Sequence, residues 1–227
     1  MKTLIPIASP AMLSGRRKLI ELLSLKGFEV VTSLEEIPYI IDELVFMYIF
    51  STKSLEQKTL IKSLVRRGIS LIVEFIPKNR NDVELMNRLT SSYGIEYSWI
   101  KVIDYKHNTG IYENPIISVD EIRHEILREV NNITFHKPFH IRTTKSKPLV
   151  TGNKTTITLD PETGKPLLMP RGKEVILAAL HVTSKDSIII AFSGYVFDDI
   201  ALSYEGNRKL LLNIIDYLIN IHAEAEC

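Results

Sequence analysis

Two apolar runs joined by one amphipathic segment constrain this chain more than anything else in it. ELVFMYIF, ending at Phe50, and ISLIVEF, ending at Phe75, are short, almost continuously apolar and rich in strand-favouring residues. Between them STKS supplies a helix start, and LEQKTLIKSLVRRG carries an apolar stripe of Leu60, Ile61, Leu64 and Val65 that Gly68 closes. Strand, helix and strand in that order predict parallel strands with a right-handed crossover. Because both strands read as buried on both faces, helices must cover the sheet from each side.

The same grammar opens the chain. Thr3 to Ala8 reads as a strand, SPAMLSG as a loop, and RRKLIELLSLKG as a helix with Leu19, Ile20, Leu22, Leu23 and Leu25 on its apolar face. Gly27 stops that helix and FEVV returns as a strand. Further on, Asn81 or Asp82 is placed to cap a helix over DVELMNRLTSSYG, before the mixed segment IEYSWIKVIDYK. From His107 to about Lys147 regularity fades: a helical island is expected at Val119 to Val130, followed by a Pro/His stretch at Phe135 to His140. Residues 105–150 therefore read as an insertion or irregular connection.

TTITLDPETGKPLLMP alternates around a Pro/Gly turn as a β-hairpin should, and EVILAALHV and SIIIAFS make two more strands about a turn at Ser184 to Asp186. A helix from Asn207 to Ile221 ends the pattern. The expected architecture is a single α/β domain over residues 1–227. Its sheet is open and mainly parallel with flanking helices, as in flavodoxin-like folds, and a β-hairpin lies in the C-terminal half.

Composition narrows the function classes. With 227 residues and 45% apolar content the chain can bury a sizeable core. The 28 basic and 27 acidic residues nearly cancel, so no overall field attracts nucleic acid, and none is expected as a partner. MKTLIPIASPAML lacks a sustained apolar region and a cleavage site, and no apolar stretch approaches the roughly 20 residues that cross a bilayer. A cytoplasmic location without a membrane span is the expectation, and the wealth of Ile, Leu, Lys and Glu is thermophile-like. The single cysteine, Cys227, excludes an internal disulfide, and as the last residue it lacks the positioned base that a nucleophilic thiol needs.

FSTKSLEQKTLIKSLVRRGISLIVEF and IIIAFSGYVFDDIALSYEGNRKLLLNIIDYL resemble segments of the class I glutamine-amidotransferase-like superfamily. The likeness is to its non-catalytic branch, found in gliding-motility ABC-transporter components and an intraflagellar-transport subunit. Gly68 matches the glycine that ends the helix, while Ile69 stands where those proteins carry a second glycine. Catalytic members place a thiol at a sharp turn after the strand that corresponds to ISLIVEF. Here that turn reads IPKNRND, without a Gly-x-Cys-x-Gly or Gly-x-Ser-x-Gly elbow, and no His-x-Glu pair follows SIIIAFS. The resemblance thus implies the scaffold without the amidotransferase centre, and no cofactor is indicated.

Ligands of open α/β sheets sit beyond the carboxyl ends of the strands. The candidate rim is Ser9, Ser14, Ser51, Thr52, Lys53, Lys78, Asn79, Arg80, Ser193 and Tyr195, a set suited to a polar or anionic ligand. The competing reading makes Ser51 and Thr52 helix caps and KNRN an exposed loop. Asp198 and Asp199 suggest a metal or an acid/base pair, but successive side chains point in different directions and no second ligand cluster accompanies them, so loop capping or solvation is the favoured reading. Pro138 argues against a helix presenting His136 and His140 to zinc. GNKTT and ETGKP are incomplete phosphate loops, and Tyr93, Tyr97 and Trp99 read as packing around a sheet.

The expected function is a non-enzymatic ligand- or protein-binding domain, a subunit or adaptor of a larger assembly, with a protein partner or second copy and a small polar ligand. Two alternatives stay open: a hydrolase with Ser193 as a non-standard nucleophile beside a histidine, and a carbohydrate- or nucleotide-binding module.

Overall fold

A computed structural model describes residues 1–5, 13–50, 58–120 and 124–225. Its first half follows the expected alternation: β1 (Lys2–Leu4), α1 (Arg17–Leu25), β2 (Glu29–Val31), the single turn α2 (Ile37–Ile40), β3 (Leu44–Ile49), α3 (Lys58–Arg66), β4 (Ser70–Phe75) and α4 (Arg80–Thr90). The second half is strand-rich: β5 (Ile95–Asp104), β6 (Ile116–Ser118), β7 (Asn132–Thr134), β8 (Phe139–Thr143), β9 (Lys147–Thr151), β10 (Thr156–Leu159), β11 (Ile176–Val182) and β12 (Ile188–Ser193), closed by α5 (Glu205–Ala225).

Ten strands form one sheet in the order β10-β5-β8-β11-β12-β4-β3-β1-β2, with β9 paired to β11 off this path, while β6 and β7 make a separate antiparallel pair. The sheet is mixed. Pairings β2-β1, β1-β3, β3-β4 and β4-β12 are parallel, as the apolar runs predict, but β12-β11, β11-β8, β8-β5 and β5-β10 are antiparallel. Val45–Phe50 and Ser70–Phe75 do lie side by side, with Tyr48 opposite Ile72.

Side chains alternate between two cores. Tyr48, Ile72, Ile188, Ile190 and Phe192 face Leu19 and Leu23 of α1 and Leu210, Leu211, Ile214 and Ile215 of α5. Met47, Ile49, Leu71, Val73, Phe75 and Ile189 face Ile61, Leu64 and Val65 of α3 and Val83, Met86 and Leu89 of α4. The period of two along each strand is what sorts residues between the layers. The result is a helix, sheet, helix sandwich.

Several expectations need correction. The cap of α4 is Asn79, earlier than Asn81 or Asp82: its extended backbone lets Oδ1 accept from Asp82 N at 3.0 Å, while the Asp82 carboxylate accepts from Lys78 N at 2.9 Å. The helical island narrows, among the described residues, to a single 3₁₀ turn at Glu125–Leu127 with His124 as its cap, and Val130 leaves that turn after Glu129 in a left-handed conformation. Residues 105–150 contribute β8 and β9 to the main sheet, and the β6-β7 pair covers its α5 face. The expected hairpin keeps its turn, where the Asp160 carboxylate accepts from Glu162 N and Thr163 N, but its return arm makes a single bridge, Leu159 to Pro166, and β10 pairs with β5. Of the strand expected over Thr3 to Ala8, Thr3 and Leu4 lie in β1 and Ile5 follows it, while residues 6–8, the STKS helix start and Cys227 lie outside the described residues.

Candidate functional site

Helix placement creates a crevice. The connection from β1 leads to α1 on one face and that from its neighbour β3 to α3 on the other; β12 and β4, also neighbours, send α5 and α4 to opposite faces. Where adjacent parallel strands send their connections to opposite sides, a gap opens beyond the strand carboxyl ends. A cavity of about 230 Å³ lies there, lined by Ser14, Gly15, Arg16, Phe50, Tyr195, Asp198, Asp199 and Ile200.

Its floor is a buried charge network. Glu74, the one charged residue of β4, is fully buried and points to the α1 face. One carboxylate oxygen accepts from the backbone N–H groups of Val196 and Phe197, and the other from the Tyr48 hydroxyl and from Arg16, whose Nη2 lies at 3.0 Å. Burial pushes the Glu74 carboxyl up from its ordinary range, against the pull of Arg16, Tyr48 and the two amides. Burial acts to lower the Arg16 pKa, but the surrounding Tyr48, Glu74, Asp198 and Tyr195 outweigh it and hold the guanidinium charged. With four donors on two oxygens, Glu74 is fully engaged: it ties α1, β3 and the loop after β12 together.

Arg16 is 4% exposed and its guanidinium carbon lies 5.1 Å from the centre of the Phe50 ring and 4.5 Å from that of Tyr195, within reach of both π faces. Its Nε is buried and makes no hydrogen bond among the described residues. Tyr195 is positioned by backbone pairing with His136, N to O at 2.9 and 3.2 Å in the two directions. Gly194 makes this possible: its φ of +102° suits glycine, and a Cβ there would meet His136 O at 2.8 Å.

Beside them His136 Nδ1 sits 2.9 Å from Asp198 Oδ2, and the other oxygen of Asp198 accepts from Ala201 N at 2.6 Å. Burial pushes the Asp198 pKa up, but the His136 contact, the Ala201 amide and Arg16 prevail and bring it below the ordinary carboxylate value. Asp199 accepts from Lys18 N at 2.9 Å, so it occupies the N-terminus of α1, and its own N–H donates to Gly15 O.

Of the expected rim residues, the structure brings Ser14 and Tyr195 into this cavity. Lys78, Asn79 and Arg80 are exposed elsewhere: Asn79 caps α4 and Arg80 pairs with Glu162 at 2.9 Å. The reason is that the β4 connection departs toward the α3/α4 face, away from Glu74. Ser9, Ser51, Thr52 and Lys53 lie outside the described residues. Ser193 is fully buried and its hydroxyl has no hydrogen-bond partner, so no histidine is placed to activate it.

The remaining polar candidates are spent on structure. His140 Nδ1 accepts from Ile176 N at 3.2 Å, apart from the His136–Asp198 pair, and no grouping of metal-binding side chains occurs among the described residues. GNKTT packs against the buried Asp104, which accepts from Thr155, Thr156 and Asn153. Tyr97 packs edge-on to Phe75 and Trp99 stacks on Phe139. Sequence reasoning missed Arg16 and Glu74, although a carboxylate inside an otherwise apolar buried strand is itself a signal that a buried donor must meet it.

No family model and no curated protein matches this chain. Among solved structures it is similar to Gan42B, a GH42 beta-galactosidase, at 8% identity and a TM-score of 0.47 over 96% of this chain. The chain spans 30% of the length of that protein. Among the described residues no helix is long and apolar enough to cross a membrane.

Proposed function

We propose that this chain is a non-enzymatic binding domain on an amidotransferase-like scaffold, and that its strand-end crevice holds a small polar ligand. One observation carries the reading: the crevice is lined by Arg16, Asp198, Asp199 and two aromatic rings. Charged groups of both signs meeting aromatic surface at a strand-end cavity are the make-up of a small polar-ligand site. The non-enzymatic part of the proposal is supported by how three of the polar groups are used. Glu74 is saturated, Ser193 is sealed in the core, and the turn Ile76-Pro77-Lys78-Asn79 carries no nucleophile.

The test is protein-observed NMR with a panel of neutral, anionic and cationic small molecules. Localised, saturable shifts of the Gly15, Tyr195, Asp199 and Ile200 amides support the proposal. Shifts that are absent or scattered over the surface contradict it.

Assembly with a protein partner is the second reading, favoured by an exposed aromatic cluster in which Tyr105 and Tyr112 rings lie 5.3 Å apart beside exposed Ile111. Light scattering of the wild type and of Tyr105→Ser/Tyr112→Ser tests self-association. An assembled wild type with a monomeric variant supports it, and a wild type that is monomeric at high concentration removes the second copy as the partner.

A further inference from the structure

We propose that the ligand of the strand-end crevice is a neutral polyhydroxylated molecule of about one sugar ring, an inference that rests on reading this crevice as a ligand site. The charges decide against an anion. The cavity carries two carboxylates, Asp198 and Asp199, against one guanidinium already committed to Glu74. The N-terminus of α1, which otherwise attracts phosphate, is occupied by the Asp199 carboxylate on Lys18 N. A phosphate or carboxylate ligand would meet like charge at close range.

A cation is disfavoured for a different reason. Aromatic faces that would cage an ammonium group are taken by Arg16, whose guanidinium lies over both Phe50 and Tyr195. A second cation would sit against the first, and the carboxylates that would draw it in are already engaged, Asp198 by His136 and Ala201 N and Asp199 by Lys18 N at the start of α1. What the cavity offers together is carboxylate acceptors from Asp198 and Asp199, the Ser14 hydroxyl, the edge of Arg16, and apolar surface from Ile200. A hydroxyl group both donates and accepts, so adjacent hydroxyls on a ring can meet a carboxylate and the Ser14 hydroxyl side by side. At about 230 Å³ the space falls below the roughly 300–1,000 Å³ of drug-sized pockets, which suits a single ring.

The experiment titrates the protein with methyl glucoside, methyl galactoside, methyl mannoside and myo-inositol, and with glucose 6-phosphate and glucosamine as charged counterparts, up to tens of millimolar, reading the crevice amides by NMR. At least one neutral probe is expected to bind saturably at Gly15, Tyr195 and Ile200, and its charged counterpart at least tenfold more weakly. Asp199→Asn, which keeps the acceptor for Lys18 N, should weaken the neutral probe about tenfold, the loss expected for a hydrogen bond to a charged group, while the unfolding midpoint falls by no more than about 4 °C. Glucose 6-phosphate or glucosamine binding as tightly as the neutral probe overturns the neutral class and leaves the ligand site standing. The neutral class is likewise overturned, with the site intact, if no member of this set binds while other small molecules shift the crevice amides. If nothing in either panel shifts them, both the inference and the reading beneath it fail.

Discussion

Replacing Glu74 by Gln should be among the most damaging isosteric changes available to this chain. The glutamine oxygen can still accept from Val196 N and Phe197 N, but the amide nitrogen replaces the oxygen that receives Tyr48 and Arg16, so two donors face each other across 3.0 Å. Arg16, 4% exposed, is left as a buried cation that has lost its bonded counter-charge. Removing one member of a buried pair costs about 3–5 kcal/mol. For a domain of this size each kcal/mol lowers the melting temperature by about 2–4 °C, so the fall should be about 6–20 °C. Urea unfolding read by Trp99, the single tryptophan, which stacks on Phe139 away from the crevice, gives the free energy directly. Arg16→Met combined with Glu74→Gln should recover much of the loss, because no charge is then stranded. A loss below about 1 kcal/mol for Glu74→Gln, or strict additivity with Arg16→Met, would refute the claim that this pair is one coupled unit.

Three other outcomes are expected. Asn207 is fully buried, accepts from Thr134 N and donates to Thr134 O and Val196 O, each at 2.8 Å, so Asn207→Ala should cost about 2–5 kcal/mol in urea unfolding by orphaning three backbone groups; a loss under about 1 kcal/mol would show that water replaces them. Burial, with Arg142 nearby, lowers the His140 pKa to about 4, so the folded protein holds it neutral while the unfolded chain takes up a proton below about 6.5. This contribution, about 3 kcal/mol, is fully present above pH 6.5 and is lost as pH falls toward 4; an NMR titration showing His140 protonating near 6.5 would contradict it. Finally, ammonia release from glutamine should match a no-enzyme control, and turnover abolished by a substitution in this chain would reveal an active site of another design.

The parallel half of the sheet was legible because β3, β4 and β12 are fully buried, and burial on both faces writes itself as a continuous apolar run. The antiparallel half was not. β5 carries Glu96, Ser98 and Lys101 among its apolar residues, and its partners β8 and β10 lie more than about 35 residues away, so its pairing is set by tertiary contacts and not by local pattern. For the site, the strand-end rule was enough to find Ser14 and Tyr195. It failed for Lys78, Asn79 and Arg80 because which face a connection takes depends on where its helix packs, and α4 packs opposite Glu74. Arg16 was hidden differently: it looks like the start of a charged helix, and only its buried contact with Glu74 distinguishes it from Arg17, which is exposed one position later.

The crevice is tested most directly as a ligand site by a crystal structure of the protein soaked with the tightest-binding member of the small-molecule panel. An intact ligand is expected in the cavity bounded by Gly15, Arg16, Tyr195 and Ile200, with an oxygen within hydrogen-bond distance of Asp199 or Ser14. A ligand seated elsewhere on the chain, or one found cleaved or covalently attached in the crevice, would contradict a non-enzymatic binding site at the strand ends.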